Sequence, residues 1–199
     1  MTEAAEWDER YASTDRVWSG QPNGALVREV EGLKPGRVLD VGCGEGADAV
    51  WLASKGWDVT ALDVSQVALE RARGHAAAAG VAVTWVYGPL LEVDLPAAGF
   101  DLVSAQYPAL RRTPDDAAER ALLGAVAPGG TLLVVHHDLR EHTFEHDINP
   151  DDWVSPRDVA RQLDDSWTVE ADDVRERTVS GGAGARHTHD VVLRARRPA

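Results

Sequence analysis

Cysteine is almost missing from this chain. Cys43 stands alone, which excludes an internal disulfide and any multi-cysteine zinc site. Long apolar runs are missing as well: none approaches the ~20 residues of a membrane span. The opening Met1-Thr2-Glu3-Ala4-Ala5-Glu6 lacks the basic-then-apolar form of a secretion signal, so the expected location is the cytoplasm. Basic charge is in deficit, with 20 Lys and Arg against 33 Asp and Glu and a net charge of −13. A polyanion needs a basic surface, so nucleic acid is not an expected partner. The basic groups Arg111-Arg112 and Arg194-Ala195-Arg196-Arg197 read as a solvated turn and a tail. Repeats and low-complexity linkers are absent. The 199 residues suffice for one domain with a sizeable core. The expected partner is a small-molecule substrate, met by a monomer or a homodimer with no membrane attachment.

What is present is a stretch around which the chain is organised. Val38-Leu39-Asp40-Val41-Gly42-Cys43-Gly44-Glu45-Gly46 reads as a short apolar strand entering a tight glycine turn, followed by a helix from Ala47. Glycines at alternate positions permit positive φ and leave no Cβ between backbone and ligand. Strand, glycine turn and helix at this spacing make a nucleotide-type pocket at the carboxyl end of a parallel strand. Glycines alone are a weak signal, so the neighbours decide the ligand. Those neighbours are acidic: Asp40, Glu45 and Asp48. Phosphate sites favour bare N–H groups and a cation, whereas carboxylates suit a cationic ligand. S-adenosylmethionine carries an ammonium and a sulfonium, and its ribose needs a diol acceptor. Asp63, at the end of the next strand and about 20 residues beyond the turn, is placed for that.

The rest alternates. A helix is predicted over 3–16 with Trp7 and Tyr11 on one face, then a loop with Trp18, Gly20, Pro22 and Asn23, and a helix over 25–31. Strand 37–41 precedes helix 47–55, and strand 58–63 precedes helix 65–79, with Ser65 as N-cap and Gly80 as stop. Strand 82–87, a loop with Pro89 and Pro96, strand 100–106, a helix over 114–127 and strand 131–136 follow. After a polar loop come helix 156–163 and two extended segments, 167–178 and 188–196. A glycine-rich link, Ser180-Gly181-Gly182-Ala183-Gly184, makes these an antiparallel hairpin. The pattern predicts an open α/β sheet with helices on both faces.

Four stretches in order carry a resemblance: Leu39-Asp40-Val41-Gly42-Cys43-Gly44-Glu45-Gly46, Ala61-Leu62-Asp63-Val64-Ser65, Phe100-Asp101-Leu102-Val103 and Ala127-Pro128-Gly129-Gly130-Thr131-Leu132. The chain resembles a class I S-adenosylmethionine-dependent methyltransferase over nearly its whole length. The resemblance implies a doubly wound seven-stranded sheet of order 3-2-1-4-5-7-6 with strand 7 antiparallel. Trp7-Asp8-Glu9-Arg10-Tyr11 and Trp18-Ser19-Gly20-Gln21-Pro22-Asn23 are similar, more narrowly, to the small-molecule methyltransferases of the tellurite-resistance and thiopurine-methyltransferase group. There an N-terminal helix and aromatic loop fold over the cofactor. That implies a cap over residues 1–33 on an α/β core over 34–199, all one domain, with Tyr11 and Trp18 as cofactor contacts. By the same resemblance Gly42 and Gly44 admit the methionine portion, Asp40 helps hold its ammonium, Asp63 takes the ribose hydroxyls and Val64 packs on adenine. Leu90 offers a backbone N–H near adenine, and Gln106 faces the methionine end. Where the family often has an acid after the glycine corresponding to Gly88, this chain has Pro89, which has neither carboxylate nor N–H.

Methyl transfer from a sulfonium is an in-line displacement, and positioning alone is worth ~7–11 kcal/mol. A general base is optional. Candidates for the substrate side are Tyr107, His136 and His137 at the carboxyl ends of strands four and five, set against ordinary polar strand ends. His136, His137, Asp138, His142 and His146 match no helix-face zinc pattern, so no metal is expected. His187 and His189 alternate on the last strand, where the hairpin can border a substrate pocket. Cys43 lacks a paired base and reads as a small residue filling a turn. Two other readings stay open: an NAD-dependent oxidoreductase on the same plan, and a non-catalytic module that keeps the cofactor pocket.

Overall fold

The computed structural model describes residues 2–138, 149, 152–177 and 187–199. Its sheet is built from β1 (Arg37–Val41), β2 (Asp58–Asp63), β3 (Thr84–Tyr87), β4 (Phe100–Gln106), β5 (Val126–His137), β6 (Thr168–Glu176) and β7 (His189–Arg196). The order is β3-β2-β1-β4-β5-β7-β6. The strands from β3 to β5 are parallel, and β7 runs antiparallel to both β5 and β6. This is the doubly wound seven-stranded sheet that the motifs imply. The helices are α1 (Glu3–Ala12), α2 (Gly24–Glu29), α3 (Ala47–Ser54), α4 (Gln66–Ala79), α5 (Ala117–Ala125) and α6 (Pro156–Arg161).

Strand β1 is central, and its sequence explains why. Four of its five residues are buried, as expected for a parallel strand covered on both faces. Alternate residues feed two cores. Leu39, Val41, Val103, Leu132 and Val134 face the cluster of α5 and α6. Val38, Val59, Ala61, Leu102, Leu133 and Val135 face the cluster of α2 and α3. Because β1 pairs with β2 on one side and β4 on the other, the chain winds away in opposite directions from its carboxyl end. That opens a crevice at the switch point, where ligands of such sheets bind.

Boundaries moved in several places. Helix α1 stops at Ala12, four residues short of the predicted end, because Ser13 caps it and the Thr14 hydroxyl bonds Arg16 across a tight turn. Helix α5 begins at Ala117 rather than Pro114: Asp116 sits at φ 50 and the Thr113 hydroxyl accepts from the Ala117 N–H. Residues 126–130, expected as helix end and turn, instead open β5 through an irregularity against Phe100. The strand expected over 82–87 starts at Thr84. The predicted 180–184 link lies outside the described residues. Among those described, no helix is long and apolar enough to cross a membrane.

Candidate functional site

The glycine turn is held by main-chain bonds before any side chain acts. Gly42 and Cys43 N–H groups both donate to the Leu62 carbonyl, at 2.8 and 3.0 Å. Gly44 has φ 53, and a Cβ there would lie 2.9 Å from Tyr11 Oη and 3.3 Å from Trp18 Nε1. Gly46, at φ 81, would place a Cβ 2.7 Å from that of Ala72. Only glycine fits either position. Asp63 reaches into the turn from β2: its Oδ2 accepts from Gly44 N–H at 2.7 Å and its Oδ1 from Ser65 N–H at 2.8 Å. Burial still raises its pKa above the ordinary carboxylate value, with the backbone donors opposing.

The N-terminal segment lies directly on this turn. Tyr11 and Val17 are buried with Ala68, and Trp7, Trp18 and Val67 pack around them. Trp18 Nε1 donates to Tyr11 Oη at 2.8 Å. Asp8 accepts from the Ser65 hydroxyl and from Val67 N–H, so α1 docks across the start of α4.

The acids of the turn divide into two kinds, which corrects the sequence reading of a uniformly acidic rim facing a cation. Glu45 is committed to the cap: it accepts from Val17 and Trp18 N–H groups and pairs with Arg71 at 2.9 Å. The same Arg71 donates to the Tyr11 and Thr14 carbonyls. Asp48 is committed too, accepting from the backbone and side-chain N–H groups of Asn23, each at 2.7 Å. Burial raises its pKa to about 6 against those two donors. Asp40 differs. It is 2% exposed, and its Oδ2 has no hydrogen-bond partner. Burial first, then the nearby charges of Asp48 and Asp63, pushes its carboxyl well above the ordinary range.

A second orphan lies one strand away. Gln106 is 7% exposed; its Nε2 donates to the Ser104 hydroxyl at 3.1 Å, while its Oε1 has no partner. Asp40 is in register with Ser104, so Asp40, Ser104 and Gln106 share one face of the sheet at the switch point. Two buried acceptors without donors cost free energy. A group that supplies several N–H donors and positive charge offsets that cost, and the ammonium of S-adenosylmethionine is such a group. The residues present therefore fit this cofactor.

Val64 is half-buried beside Asp63. The Leu90 side chain is consumed by the core on the α5 face, leaving main-chain groups as what Leu90 can offer a ligand.

On the far side of the crevice, the structure brings Tyr107 and His137 together and adds residues that the sequence did not single out. Tyr107 sits at φ 53, directly after β4. Its hydroxyl donates to Asp190 Oδ2 at 2.7 Å; burial and then the Asp190 charge raise its pKa far above that of free tyrosine. His137 stacks on Tyr107 with centroids 4.3 Å apart and on His187 at 3.8 Å. His137 Nδ1 is 3.4 Å from Asp190 Oδ1 and 3.2 Å from Arg177 Nη1. Arg177 Nε is 3.2 Å from Asp190 Oδ2, with both side chains almost fully buried. His136 lies across the ring edge of Tyr107, and burial, with His137 next, lowers its pKa to about 4. His189 is exposed and bonds to Thr188; it does not join the group.

Asp190 and Arg177 carried no sequence signal. They lie 83 and 70 residues beyond Tyr107 and meet it only through the β5–β7 pairing. His142 and His146 lie outside the described residues. Among the described residues, no group of three His, Cys, Asp or Glu could hold a metal ion.

The comparisons with known proteins agree with this geometry. A family model described as a methyltransferase domain matches residues 38–130. An uncharacterised methyltransferase of Mycobacterium tuberculosis is 37% identical over 123 residues, which are 61% of each chain. The chain thus spans about six tenths of the length of that relative. A 2-heptyl-1-hydroxyquinolin-4(1H)-one methyltransferase of Mycobacteroides abscessus is 29% identical over 162 residues, 77% of this chain and 69% of its own. Among solved structures, a chain from work on the conversion of a disulfide bond into a thioacetal group during echinomycin biosynthesis superposes with a TM-score of 0.79 at 26% identity. It covers 99% of this chain and 94% of its own. Residues 38–130 thus match a methyltransferase domain, on a whole-length sheet whose strand order is the one that the resemblance implies.

Proposed function

We propose that this chain transfers a methyl group from S-adenosylmethionine to a small molecule. The observation that carries the reading is the pair of buried, donor-less acceptors, Asp40 Oδ2 and Gln106 Oε1, on adjacent strand ends. In this reading they receive the cofactor ammonium. Gly42 and Gly44 admit the methionine chain, and Asp63, at the carboxyl end of β2, accepts from the ribose hydroxyls. Val64 and the backbone of Leu90 border the adenine. Tyr11 and Trp18 cover the site from the cap at residues 1–33 and exclude water. The cofactor supplies a methyl group on a sulfonium that is already a good leaving group, so the protein's task is alignment. Tyr107, His136 and His137 are the wall against which the acceptor is held.

A small-molecule acceptor is supported by the acidic chain, net −13, which repels nucleic acid. It is also supported by the Mycobacteroides relative, whose name gives a hydroxyquinolinone as what it methylates. A dinucleotide finds less support, because its phosphates need donors and the two orphan groups are acceptors.

Titration calorimetry with S-adenosylhomocysteine tests the cofactor half, with micromolar-range binding expected. Asp63→Ala weakens that binding several-fold, because a charged acceptor is lost. No detectable heat at high protein concentration overturns the reading. Transfer of labelled methyl into a metabolite extract separates an enzyme from a module that only binds.

A further inference from the structure

We propose that Asp40 holds a proton in the cofactor-free protein and that the ammonium of S-adenosylmethionine enters by displacing it, so that Asp40 selects ligands able to exchange a cation for a proton. This inference rests on the methyltransferase reading above. Asp40 is almost fully buried, and its Oδ2 has no hydrogen-bond partner. The register puts Ser104 beside it on the same face of the sheet, with Gln106 two residues further along β4. Both neighbours are neutral. Gln106 Nε2 is spent on the Ser104 hydroxyl, which leaves Gln106 Oε1 as another acceptor rather than a donor to Asp40. A buried carboxylate needs donors or a cation beside it, and these neighbours give Oδ2 no donor.

The charges that bear on Asp40 are of its own sign. After burial itself, Asp48 on α3 and Asp63 at the end of β2 disfavour its ionisation. On α1, Asp8 and Glu3 add acid charge beside Asp63. In the turn, burial and the neighbouring acids keep the Cys43 thiol protonated and neutral. After β4, burial and the Asp190 charge keep Tyr107 a neutral phenol. The cap loop brings Asn23, whose N–H groups both go to Asp48. The basic groups of the surrounding elements serve other acids. Arg71 on α4 pairs with Glu45 at 2.9 Å, and Arg177 lies 3.2 Å from Asp190. On β5, His137 stands 3.4 Å from Asp190, and His136, lowered to about 4, is neutral near pH 7. With like charges around it and no cation brought to it, the carboxyl keeps its proton.

The exchange balances. Binding breaks the Asp40 O–H bond, its electron pair stays on oxygen, and the proton goes to solvent. The carboxylate left behind takes the ammonium as its partner, and Gln106 Oε1 accepts a second ammonium N–H. One positive charge enters as one proton leaves, so the net charge of the crevice is the same before and after. A nucleoside without an ammonium leaves the proton in place. Because a proton must leave for the cofactor to bind, affinity rises with pH until Asp40 ionises in the free protein, and is level above that point.

The experiment uses the full chain and titration calorimetry with S-adenosylhomocysteine at pH 6, in two buffers of different ionisation enthalpy. Release of about one proton per ligand bound is expected, with affinity rising about tenfold from pH 5 to pH 6. No proton release at pH 6 overturns the proposal. 5′-Methylthioadenosine has the nucleoside and the sulfur but no ammonium, and it is expected to release none; equal release by both ligands overturns the exchange. Asp40→Asn keeps the shape and removes the titrating group, so proton release should vanish and affinity should become level with pH. Release that persists in this variant places the proton elsewhere and overturns the proposal. A further readout needs no ligand. The carboxyl carbon of Asp40, identified in the NMR spectrum by its loss in Asp40→Asn, is expected to report the protonated form at pH 6, and the ionised form overturns the proposal. Absence of S-adenosylhomocysteine binding at every pH from 5 to 8 overturns the methyltransferase reading instead, while the carboxyl spectrum still decides whether Asp40 holds its proton.

Discussion

Two sets of buried acids lie within a few residues of each other, and they do opposite work. Glu45 and Asp48 spend their oxygens on Arg71, on Asn23 and on the N–H groups of Val17 and Trp18. They tie the N-terminal cap to the glycine turn. Asp40, buried just as deeply, leaves Oδ2 without a donor, and Gln106 leaves Oε1 in the same state. A satisfied buried acid supports the fold. An unsatisfied one is a cost that a ligand removes. The contrast sets the acids that hold the cap apart from Asp40; Asp63, whose oxygens already accept from the Gly44 and Ser65 N–H groups, is assigned to the ribose by its position at the end of β2.

The sharpest way to break it is Asp40→Ala. Loss of a charged acceptor is worth ~1.5–3 kcal/mol, so S-adenosylhomocysteine affinity should fall roughly 10- to 100-fold by calorimetry. The melting temperature should hold or rise, because the variant no longer buries a carboxylate without a donor; a clear fall would place Asp40 with the scaffold acids. Glu45→Ala should do the reverse. It strands the Arg71 charge and two cap N–H groups, and a loss of about 3 kcal/mol is expected in chemical denaturation.

Gly44→Ala tests the close approach between turn and cap. A side chain at φ 53 within 2.9 Å of Tyr11 Oη should cost about 2 kcal/mol, read as a lowered melting temperature. The pH dependence sharpens the contrast further. Asp48 has a folded-state pKa of about 6 against an ordinary 3.8, and Asp40 shifts the same way. The folded chain therefore holds protons that the unfolded chain releases. This contribution is full below pH ~4 and is lost as pH rises through about 6. Asp158 and Asp164 are shifted down, so their effects fall below that window. His136, lowered to about 4, contributes the opposite slope over the same range, so the check is a difference: the stability of Asp48→Asn relative to the wild type should rise between pH 4 and 7. Tyr11→Phe is the mildest change: it removes the acceptor for Trp18 Nε1 and should cost about 1 kcal/mol.

Much of this was legible in order along the chain. The strand ending in Asp40, the glycine turn and Asp63 are local features, and the alternation of strands and helices follows from hydrophobic period and turn residues. The helix ends were less legible. Ala12 ends α1 because of a turn at Ser13 and Thr14, and residues 126–130 joined a strand because Phe100 was there to pair with. Tyr107 and His137 stood out as polar groups at strand ends. Their partners did not: Arg177 and Asp190 are ordinary charged residues of a hairpin until β7 inserts beside β5.

The sequence by itself determined the alternation of strands and helices and the glycine turn at the end of β1, because these depend on periodicity and on glycines whose conformations only glycine adopts, whereas the strand order came from the family resemblance. It also supplied every acid of the turn. Which of those acids remained available was decided only in three dimensions, where Arg71, Asn23 and the cap either reached a carboxylate or did not. Hydrogen bonding saturates a group, and saturation depends on neighbours that fold together from opposite ends of the chain.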